Sequence, residues 1–228
     1  MKISDYSSEE IAARLSLSIM NFEKNKDYLD NFPYIKKGEF AFVAQFCVGD
    51  QTVYGLYPSC LTVTNEILDK WGYSKDVLFS LAGDNAAKLF PSKIEKIDDY
   101  QYTITNSMGF NGAAALFYDT DSVIEQLQQI CDGLADYDES SHLVVYPMSS
   151  NSLCVSIPKR NDELQYTDLA QINQQIVEAG ENFGDEIYSL GQQVLGLDLQ
   201  NETLKTAENQ VFPAALLDEN TYMKERSK

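Results

Sequence analysis

The sequence predicts an α+β fold, with an antiparallel or mixed sheet built of hairpins and helices packed on it. Two features lead to this prediction. Segments rich in aromatic and β-branched residues come in pairs joined by tight turns, which is typical of antiparallel strands because parallel strands need long crossover connections. Segments with apolar residues at helical spacing alternate with these pairs. A chain of 228 residues, 44% of them hydrophobic, is long enough to bury the core of such a fold.

The first expected element is a helix that begins after Ser7 and continues to about Tyr28. Ser7 and Glu10 match a capping box, in which each side chain bonds a backbone amide that the helix leaves free. The apolar residues that follow at helical spacing are Ile11, Leu15, Ile19 and Phe22. Turn-forming residues between positions 31 and 38 then end this segment.

A hairpin is expected next. Residues 40–48 and 52–63 are rich in aromatic and β-branched residues, and the dipeptide Gly49-Asp50 provides the turn between them. Pro58 interrupts the second strand or confines it to a sheet edge, because proline has no amide to donate to a neighbouring strand.

Two helices are expected after the hairpin. The first covers residues 65–71 and closes at Gly72. Ser74 caps the second, which ends before Pro91 because proline restricts the residue before it and lacks an amide.

The second half of the chain repeats this pattern. Strand pairs are expected at residues 100–105 with 113–118, and at residues 143–146 with 153–157. A helix between the pairs is amphipathic, and its apolar face consists of Ile124, Leu127, Ile130, Cys131 and Leu134. A further helix is capped by Thr167 and stops at Gly180.

Residues 1–200 are expected to form a single α+β domain, with two sub-domains that meet near residues 92–100 as the alternative. From about Asn201 the apolar periodicity is lost and polar residues dominate. Residues 201–228 are therefore predicted to be a loosely held C-terminal tail.

The charge balance narrows the classes of partner. The chain has 35 acidic and 17 basic residues, a net charge of −18. A surface this negative repels phosphate backbones and anionic membranes, so we expect no direct nucleic-acid binding and no membrane binding. The charge either serves solubility alone or attracts the basic surface of a protein partner.

The cysteines indicate a reduced protein. Cys47, Cys60, Cys131 and Cys154 stand alone, and no C-x-x-C pair occurs. Buried reduced thiols of a cytoplasmic protein are the expected interpretation. No targeting segment is visible, and the longest uncharged run, residues 101–118, is too polar to span a bilayer.

No catalytic residue, metal site or cofactor is predicted, so the chain is more readily explained as a non-enzyme. The lone His142 lacks a nucleophile and an orienting carboxylate at a suitable spacing, and glycine-rich nucleotide motifs are missing. The acidic pairs Asp119 with Asp121 and Asp136 with Asp138 could share a cation in a hydrolase. The first pair is better explained by its position at the start of a helix, where carboxylates stabilise the free amides, and the second by its position in a solvated loop.

Two polar turns are the candidate ligand site. Asn and Gly tolerate a positive φ, and turns at the ends of strands place hydroxyl and amide groups at a sheet edge. The predicted ligand-binding residues are Thr105, Asn106, Asn111, Gly112, Ser149, Ser150 and Asn151. Turn chemistry alone is the competing explanation for the same residues.

Several stretches of the sequence resemble an uncharacterised family, a domain of unknown function from Gram-positive gut anaerobes and their mobile elements. The resemblance covers residues 15 to 195. It rests on Asn-Phe-Glu-Lys-Asn-Lys at 21–26, Val-Thr-Asn-Glu-Ile-Leu at 63–68, Lys-Trp-Gly at 70–72, Leu-Phe-Pro at 89–91, Thr-Asn at 105–106 and Asn-Gly-Ala-Ala at 111–114. It implies a shared fold and a mobile-element setting.

One departure from the family pattern bears on function. After two serines and an aliphatic residue, the family shows His-Glu before a strand that ends in proline. This chain keeps Ser149 and Ser150 but has Ser152 and Leu153 at the positions of that pair. The resemblance therefore implies no reaction for this chain.

The sequence leads to three function hypotheses, of which a metal-dependent hydrolase built on Asp119, Asp121, Asp136 and Asp138 ranks last. The first is a non-catalytic cytoplasmic binding protein that acts through its acidic surface on a protein partner, such as a host defence factor opposed by a mobile element. The alternative is a protein that binds and sequesters a small molecule or nucleotide at the two polar turns, where backbone amides can hold an anion.

Overall fold

The structure, a computed structural model, describes residues 6–48, 59–107, 111–139, 141–160, 190 and 194–217. These residues form six α-helices, α1 (Ser8–Ala13), α2 (Lys26–Leu29), α3 (Asn65–Trp71), α4 (Lys75–Leu89), α5 (Ala115–Tyr118) and α6 (Thr120–Asp132). The strands are β1 (Leu15–Asn21), β2 (Tyr34–Lys37), β3 (Phe40–Val48), β4 (Ser59–Thr62), β5 (Ser92–Lys96), β6 (Gln101–Asn106), β7 (Leu143–Ser149), β8 (Ser152–Ser156), β9 (Leu195–Asp198), β10 (Thr203–Thr206) and β11 (Val211–Pro213).

The strands form two antiparallel sheets. In the first sheet β3 is central, with β1 on one side and both β2 and β4 on the other. The second sheet has the order β11-β10-β9-β7-β8-β6-β5. All the strand pairs are antiparallel and several are hairpins, so the predicted α+β class is confirmed.

One hydrophobic core joins the two sheets and the helices. Alternate residues of β1 and β3 contribute to this core because side chains of a strand alternate between its two faces. The same core includes Leu78 and Phe79 of α4 and Phe117 of α5, and from the second sheet Ile104 and Val155. The opposite face of the first sheet is covered by a smaller cluster around Leu29.

The expected helix from Ser7 to about Tyr28 is wrong for residues 14–22, and the helical residues 23–29 form a separate 3-10 turn and α2. The capping box of Ser7 and Glu10 is present, and α1 follows it. The chain then enters strand β1, where Leu15, Leu17 and Ile19 are buried against the core. Residues four apart lie on one side both in a helix and in a strand, so the spacing from Ile11 to Ile19 fits either structure. The hydrogen bonds between this segment and β3 stabilise the strand over the helix.

The expected strand at residues 113–118 is also wrong. These residues form a 3-10 turn, Gly112–Ala114, followed by α5. The segment from Ala113 to Phe117 is buried on every side, and a short apolar run of this kind has no periodicity that separates helix from strand. Its consecutive alanines favour the helical conformation.

Several expected elements are confirmed. Helix α3 ends at Gly72 with a φ of 70°, and the hydroxyl of Ser74 accepts a hydrogen bond from Val77 at the start of α4. Strands β3, β6, β7 and β8 and helix α6 lie where the sequence predicts them, within a few residues. Part of the expected strand 52–63 is observed as β4; its turn at residues 49–50 and the expected helix from Thr167 to Gly180 lie outside the described residues.

The prediction of a loosely held tail after Asn201 is wrong for residues 201–217. Strands β10 and β11 extend the second sheet, and Leu204, Ala214 and Leu216 are buried in the main core. These strands have three or four residues each, too few to show an alternating pattern in the sequence. Among the helices that the structure describes, none is long and apolar enough to cross a membrane.

Candidate functional site

The two polar turns predicted as a ligand site meet in the structure. Strand β6 ends at Asn106 next to β8, and the hairpin turn between β7 and β8 lies against residues 111–113. The Thr105 hydroxyl donates to the Asn151 carbonyl oxygen at 3.0 Å. The backbone amide of Asn111 donates to Oδ1 of Asn151 at 3.2 Å. We call the seven predicted residues, together with Ser18 and Gln45 of the first sheet, the polar junction.

Asn111 connects this junction to the first sheet. Its Oδ1 accepts a hydrogen bond from the Ser18 hydroxyl of β1 at 3.2 Å, and its Nδ2 donates to Oε1 of Gln45 in β3 at 3.3 Å. The side chain is 8% exposed and the backbone φ is 51°, a left-handed conformation that asparagine adopts more readily than most residues. The sequence predicts Asn111 as a site residue but not Ser18 and Gln45, because single polar residues inside strands carry no local signal.

Gly112 allows the two turns to approach each other. A Cβ at this position would lie 2.4 Å from the Asn151 carbonyl oxygen and 2.4 Å from the Thr105 hydroxyl oxygen. The next amide, that of Ala113, donates to the Ser150 carbonyl oxygen at 3.1 Å. A residue without a side chain is therefore needed for the backbone contact between the turns.

Asn106 and Tyr118 form the inner end of the junction. Nδ2 of Asn106 donates to the Tyr118 hydroxyl oxygen at 3.3 Å, and that hydroxyl donates to the Phe90 carbonyl oxygen at 2.8 Å. Burial raises the pKa of Tyr118, and the hydrogen bond from Asn106 opposes this rise in part. The phenol therefore stays protonated and remains a hydrogen-bond donor at physiological pH.

The polar groups of the junction bind one another. Among the described residues, no buried side-chain nitrogen or oxygen lacks a hydrogen-bond partner. A ligand at Thr105, Asn106 or Asn111 would have to replace bonds that already exist, and it would gain only the difference in free energy. The geometry thus gives the junction a structural role, and its ligand-binding role stays a prediction.

Replacing Asn111 by Ala is expected to lower the free energy of unfolding by about 2 to 3 kcal/mol. The loss of the amide leaves Ser18 and Gln45 without their partner, and alanine is strained at a φ of 51°. Asn209→Ala is the matched control, because Asn209 has a φ of 64° but an exposed side chain. It should lose only about 1 kcal/mol. Equal losses in urea denaturation would contradict the role of the buried amide.

Cavities lie elsewhere on the described part of the molecule. Their volumes are about 610, 350 and 320 Å³, and no residue of the polar junction lines any of these three. The largest contains Lys36, Lys37 and Lys75. Their ammonium groups lie against other groups of the protein. Lys37 donates to the Pro213 carbonyl oxygen at 3.1 Å. Lys36 lies 3.8 Å from the centroid of the Phe22 ring, and Lys75 lies 5.5 Å from that of Tyr34. This cavity therefore does not provide a set of free cations for an anionic ligand.

One member of each acidic pair considered for a cation serves local structure. Oδ2 of Asp119 accepts a hydrogen bond from the amide of Ser92 at 2.9 Å, and Oδ2 of Asp138 accepts one from the Ser141 hydroxyl at 2.7 Å. In the part of the chain that the structure describes, no group of three or more His, Cys, Asp or Glu residues could hold a metal ion.

The lone histidine lies at an exposed rim. Nε2 of His142 is 4.0 Å from Oδ2 of Asp198, with 38% of the His142 side chain exposed. Asp198 is bound mainly by its own turn, where its carboxylate accepts the amides of Gln200 and Asn201 at 2.9 Å each. Burial raises the pKa of Asp198, but the hydrogen bonds from this turn outweigh burial and hold the pKa below its usual value. His142 thus belongs to a surface turn of the second sheet.

A strip of exposed carboxylates runs along α6 and the loop after it. We call this strip the acidic face; its members are Asp121, Glu125, Asp132, Asp136 and Glu139. The first three lie within one side of the helix because residues four and eleven positions apart face the same direction. The opposite side of α6 is buried and includes Val123, Leu127 and Cys131. The sequence predicts the helix and its apolar face but no role for the opposite face.

Comparison with known proteins places part of this chain in a family context. Residues 2–101 match a family of unknown function, DUF5688. The matched segment contains the first sheet, helices α1 to α4 and β5 of the second sheet, and it ends at the first residue of β6. The resemblance inferred from the sequence is thus supported over these residues, whereas the motifs at 105–106 and 111–114 lie beyond the match. No curated protein and no solved structure matches the chain.

Proposed function

We propose that this protein is a non-catalytic cytoplasmic binding protein, and that its acidic face holds a basic surface of a protein partner. The observation that carries this proposal is the arrangement of charge on α6. Three carboxylates share the exposed side of a helix whose other side is fixed in the core, so their positions are set by the fold. Free thiols at all four cysteines fit the cytoplasmic compartment.

The chain supplies few cations of its own near these carboxylates: Arg160, whose Nε donates to the Tyr137 carbonyl oxygen at 3.0 Å, lies beside the loop after α6. Residues 97–158 contain nine Asp and Glu residues and no Lys or Arg. The Lys–carboxylate ion pairs of the described residues involve Glu23, Glu66, Glu95 and Asp99, which all lie outside the acidic face. A partner that brings Lys or Arg residues would therefore relieve repulsion within this face and gain attraction to it.

The setting of the resembled family suggests which partner to seek first. A mobile element in a Gram-positive gut anaerobe benefits from a protein that blocks a host factor. Proteins that bind nucleic acid carry basic grooves, and an acidic surface can occupy such a groove in place of a phosphate backbone. A nucleic-acid-binding defence factor of the host is thus the partner class that we propose.

Capture from a host lysate tests this function. The protein is immobilised as wild type, as the acidic-face variant Asp121→Asn, Glu125→Gln, Asp132→Asn, and as a control variant Asp27→Asn, Asp69→Asn, Asp84→Asn. The control residues are exposed carboxylates on other elements and change the net charge equally. We expect one basic protein to bind wild type and control, and to bind the acidic-face variant about tenfold more weakly.

The dependence of binding on salt and the comparison of the two variants together test the proposal. Bound partner should leave the column as the salt approaches about 1 M, where the Debye length is about 3 Å and contacts between exposed charges are screened. Equal loss of binding in both variants would show that only net charge matters. Retention of the partner by the acidic-face variant would contradict the proposal.

A further inference from the structure

Two of the four cysteines face each other in the first sheet. The sequence predicts that all four stand alone, which is wrong for these two, because β3 and β4 pair Cys47 directly with Cys60. The residues are far enough apart in sequence that no spacing motif reveals the pair. Only the register of the two strands brings the thiols together.

The pair occupies a position that suits a disulfide. The amide of Val63 donates to the Ala44 carbonyl oxygen at 2.9 Å, so Ala44 and Val63 are a hydrogen-bonded pair of the antiparallel ladder. Such pairs alternate with non-hydrogen-bonded pairs along an antiparallel ladder, so Cys47 and Cys60 form a non-hydrogen-bonded pair. Opposite Cα atoms at these positions are about 4.5 Å apart, at the short end of the range of about 4.4–6.8 Å that disulfides span.

The surroundings of the two sulfur atoms favour a thiolate. The thiol of Cys60 is hydrogen-bonded to Cys47, and the Ser16 hydroxyl oxygen lies 3.5 Å from the Cys47 sulfur. The bond with Cys60 lowers the pKa of Cys47; burial opposes this, whereas Ser16 and the charge of Arg14 add to it. Sharing one proton raises the pKa of Cys60. The pair therefore loses its first proton more readily than an isolated buried thiol would.

The two thiols differ in their exposure to solvent. Cys47 is fully buried, whereas Cys60 is partly exposed on the short strand β4. The remaining proton is held mainly on Cys60, because the hydrogen bond between the thiols lowers the pKa of Cys47 and raises that of Cys60. Transfer of this proton along the hydrogen bond to Cys47 places the negative charge on Cys60. An oxidant in solution can then reach the Cys60 sulfur, and Cys47 lies behind it as the resolving thiol.

We propose that Cys47 and Cys60 are a redox-active dithiol that hydrogen peroxide converts into an intramolecular disulfide. The Cys60 thiolate attacks one peroxide oxygen, the O–O bond breaks, and Cys60 becomes a sulfenic acid while the hydroxide released takes a proton to form water. Cys47 then attacks the Cys60 sulfur, the S–O bond breaks, and a second water leaves with the proton of Cys47. Two thiols and one peroxide thus give one disulfide and two waters.

The geometry also makes the disulfide reversible. The Cys60 side of the bond is partly exposed, and exposed disulfides are reduced more easily than buried ones. A dithiol reductant can attack the partly exposed Cys60 sulfur and release Cys47. Cys47 lies two residues from Gln45 on the same face of β3, so the dithiol is a close neighbour of the polar junction.

Peroxide treatment of the full-length protein tests this inference. After oxidation and alkylation of the remaining thiols, the intact mass should show two thiols protected and two hydrogen atoms lost. Residues 38–70 contain no Lys or Arg before Lys70, so trypsin leaves both cysteines in one peptide. A protease that cuts before Asp50 separates them, and the two fragments should stay joined until dithiothreitol is added.

Single variants identify the thiols. Cys60→Ser and Cys47→Ser should each abolish the loss of two hydrogens and the linked fragments, and Cys60→Ser should leave Cys47 poorly reactive. Cys154→Ser is the matched control because Cys154 is also a partly exposed strand residue but faces Tyr146 and Thr103. It should behave as wild type. Sulfinic acid at Cys60, a link to another cysteine, or unchanged thiols after peroxide would each overturn the proposal.

Discussion

Replacing Phe117 by Ala is expected to lower the free energy of unfolding by about 3 to 5 kcal/mol, the range for a large aromatic side chain removed from a core. Phe117 is 1% exposed and its ring centroid lies 4.7 Å from that of Phe42 and 5.6 Å from that of Phe40. These two partners belong to the first sheet, whereas α5 also contacts β6 of the second. The substitution therefore opens a cavity where the two sheets share their core.

The backbone of Phe117 adds to this effect. Its carbonyl oxygen accepts the amide of Leu216 at 2.7 Å, and the hydroxyl of Thr120 donates to the neighbouring Leu116 carbonyl oxygen at 2.8 Å. A shift of α5 into the cavity would disturb both bonds, so the cavity closes only in part. The loss in free energy of unfolding should therefore lie toward the upper end of the range given above.

Urea denaturation followed by the fluorescence of Trp71, the only tryptophan, measures the loss. Phe117→Leu keeps most of the volume and should lose about 1.5 kcal/mol or less. Tyr28→Ala removes an aromatic side chain that is 46% exposed and should lose less than about 1 kcal/mol. A loss at Phe117→Ala no larger than that at Tyr28→Ala would show that α5 does not join the two sheets.

Replacing Gly112 by Ala is expected to lower the free energy of unfolding by about 3 kcal/mol. The new Cβ would overlap the Asn151 carbonyl oxygen and the Thr105 hydroxyl oxygen at 2.4 Å, and the Asn106 backbone nitrogen at 2.9 Å. Two of these three atoms are backbone atoms that cannot rotate away. Relief therefore requires the two turns of the polar junction to separate, which breaks the bond of Thr105 with Asn151 and exposes buried polar groups.

Gly83→Ala is the matched control for Gly112→Ala. Gly83 is buried inside α4, and a Cβ there would meet no atom within 4 Å outside its own helix. Alanine should therefore raise the free energy of unfolding by about 0.5 to 1 kcal/mol, because it is the better helix former. Opposite signs for the two glycines in urea denaturation are the expected result. Stabilisation or no change at Gly112 would show that the turns are not in close contact.

The structural and functional variants test separate parts of the molecule. Gly112 and Asn111 hold the polar junction together, so their substitution should change stability and leave the charge of the acidic face unaltered. The acidic-face variant replaces only exposed side chains of α6, so it should alter partner binding at nearly constant stability. A protein that loses binding only when it unfolds would contradict a docking role for α6.

Local chemistry in the sequence was sufficient for several elements. The capping box at Ser7, the left-handed glycine at Gly72 and the helix cap at Ser74 each depend on a few neighbouring residues, and all three are present. The fold class followed from paired strands with short turns, and the hairpin at residues 149–151 is one of them. The seven predicted turn residues also proved to be neighbours, because both turns lie at the same end of adjacent strands.

Tertiary contacts decided the rest. The residues from Leu15 to Asn21 form a strand because each lies opposite a residue of β3, whereas their own spacing permits a helix as well. The pairing of Cys47 with Cys60, and the bonds from Asn111 to Ser18 and Gln45, likewise depend on residues distant in sequence. Local propensity differs by a few tenths of a kcal/mol per residue, and burial of one large apolar side chain contributes about 1.5 to 3 kcal/mol. Packing between distant segments therefore overrules local preference wherever the two disagree.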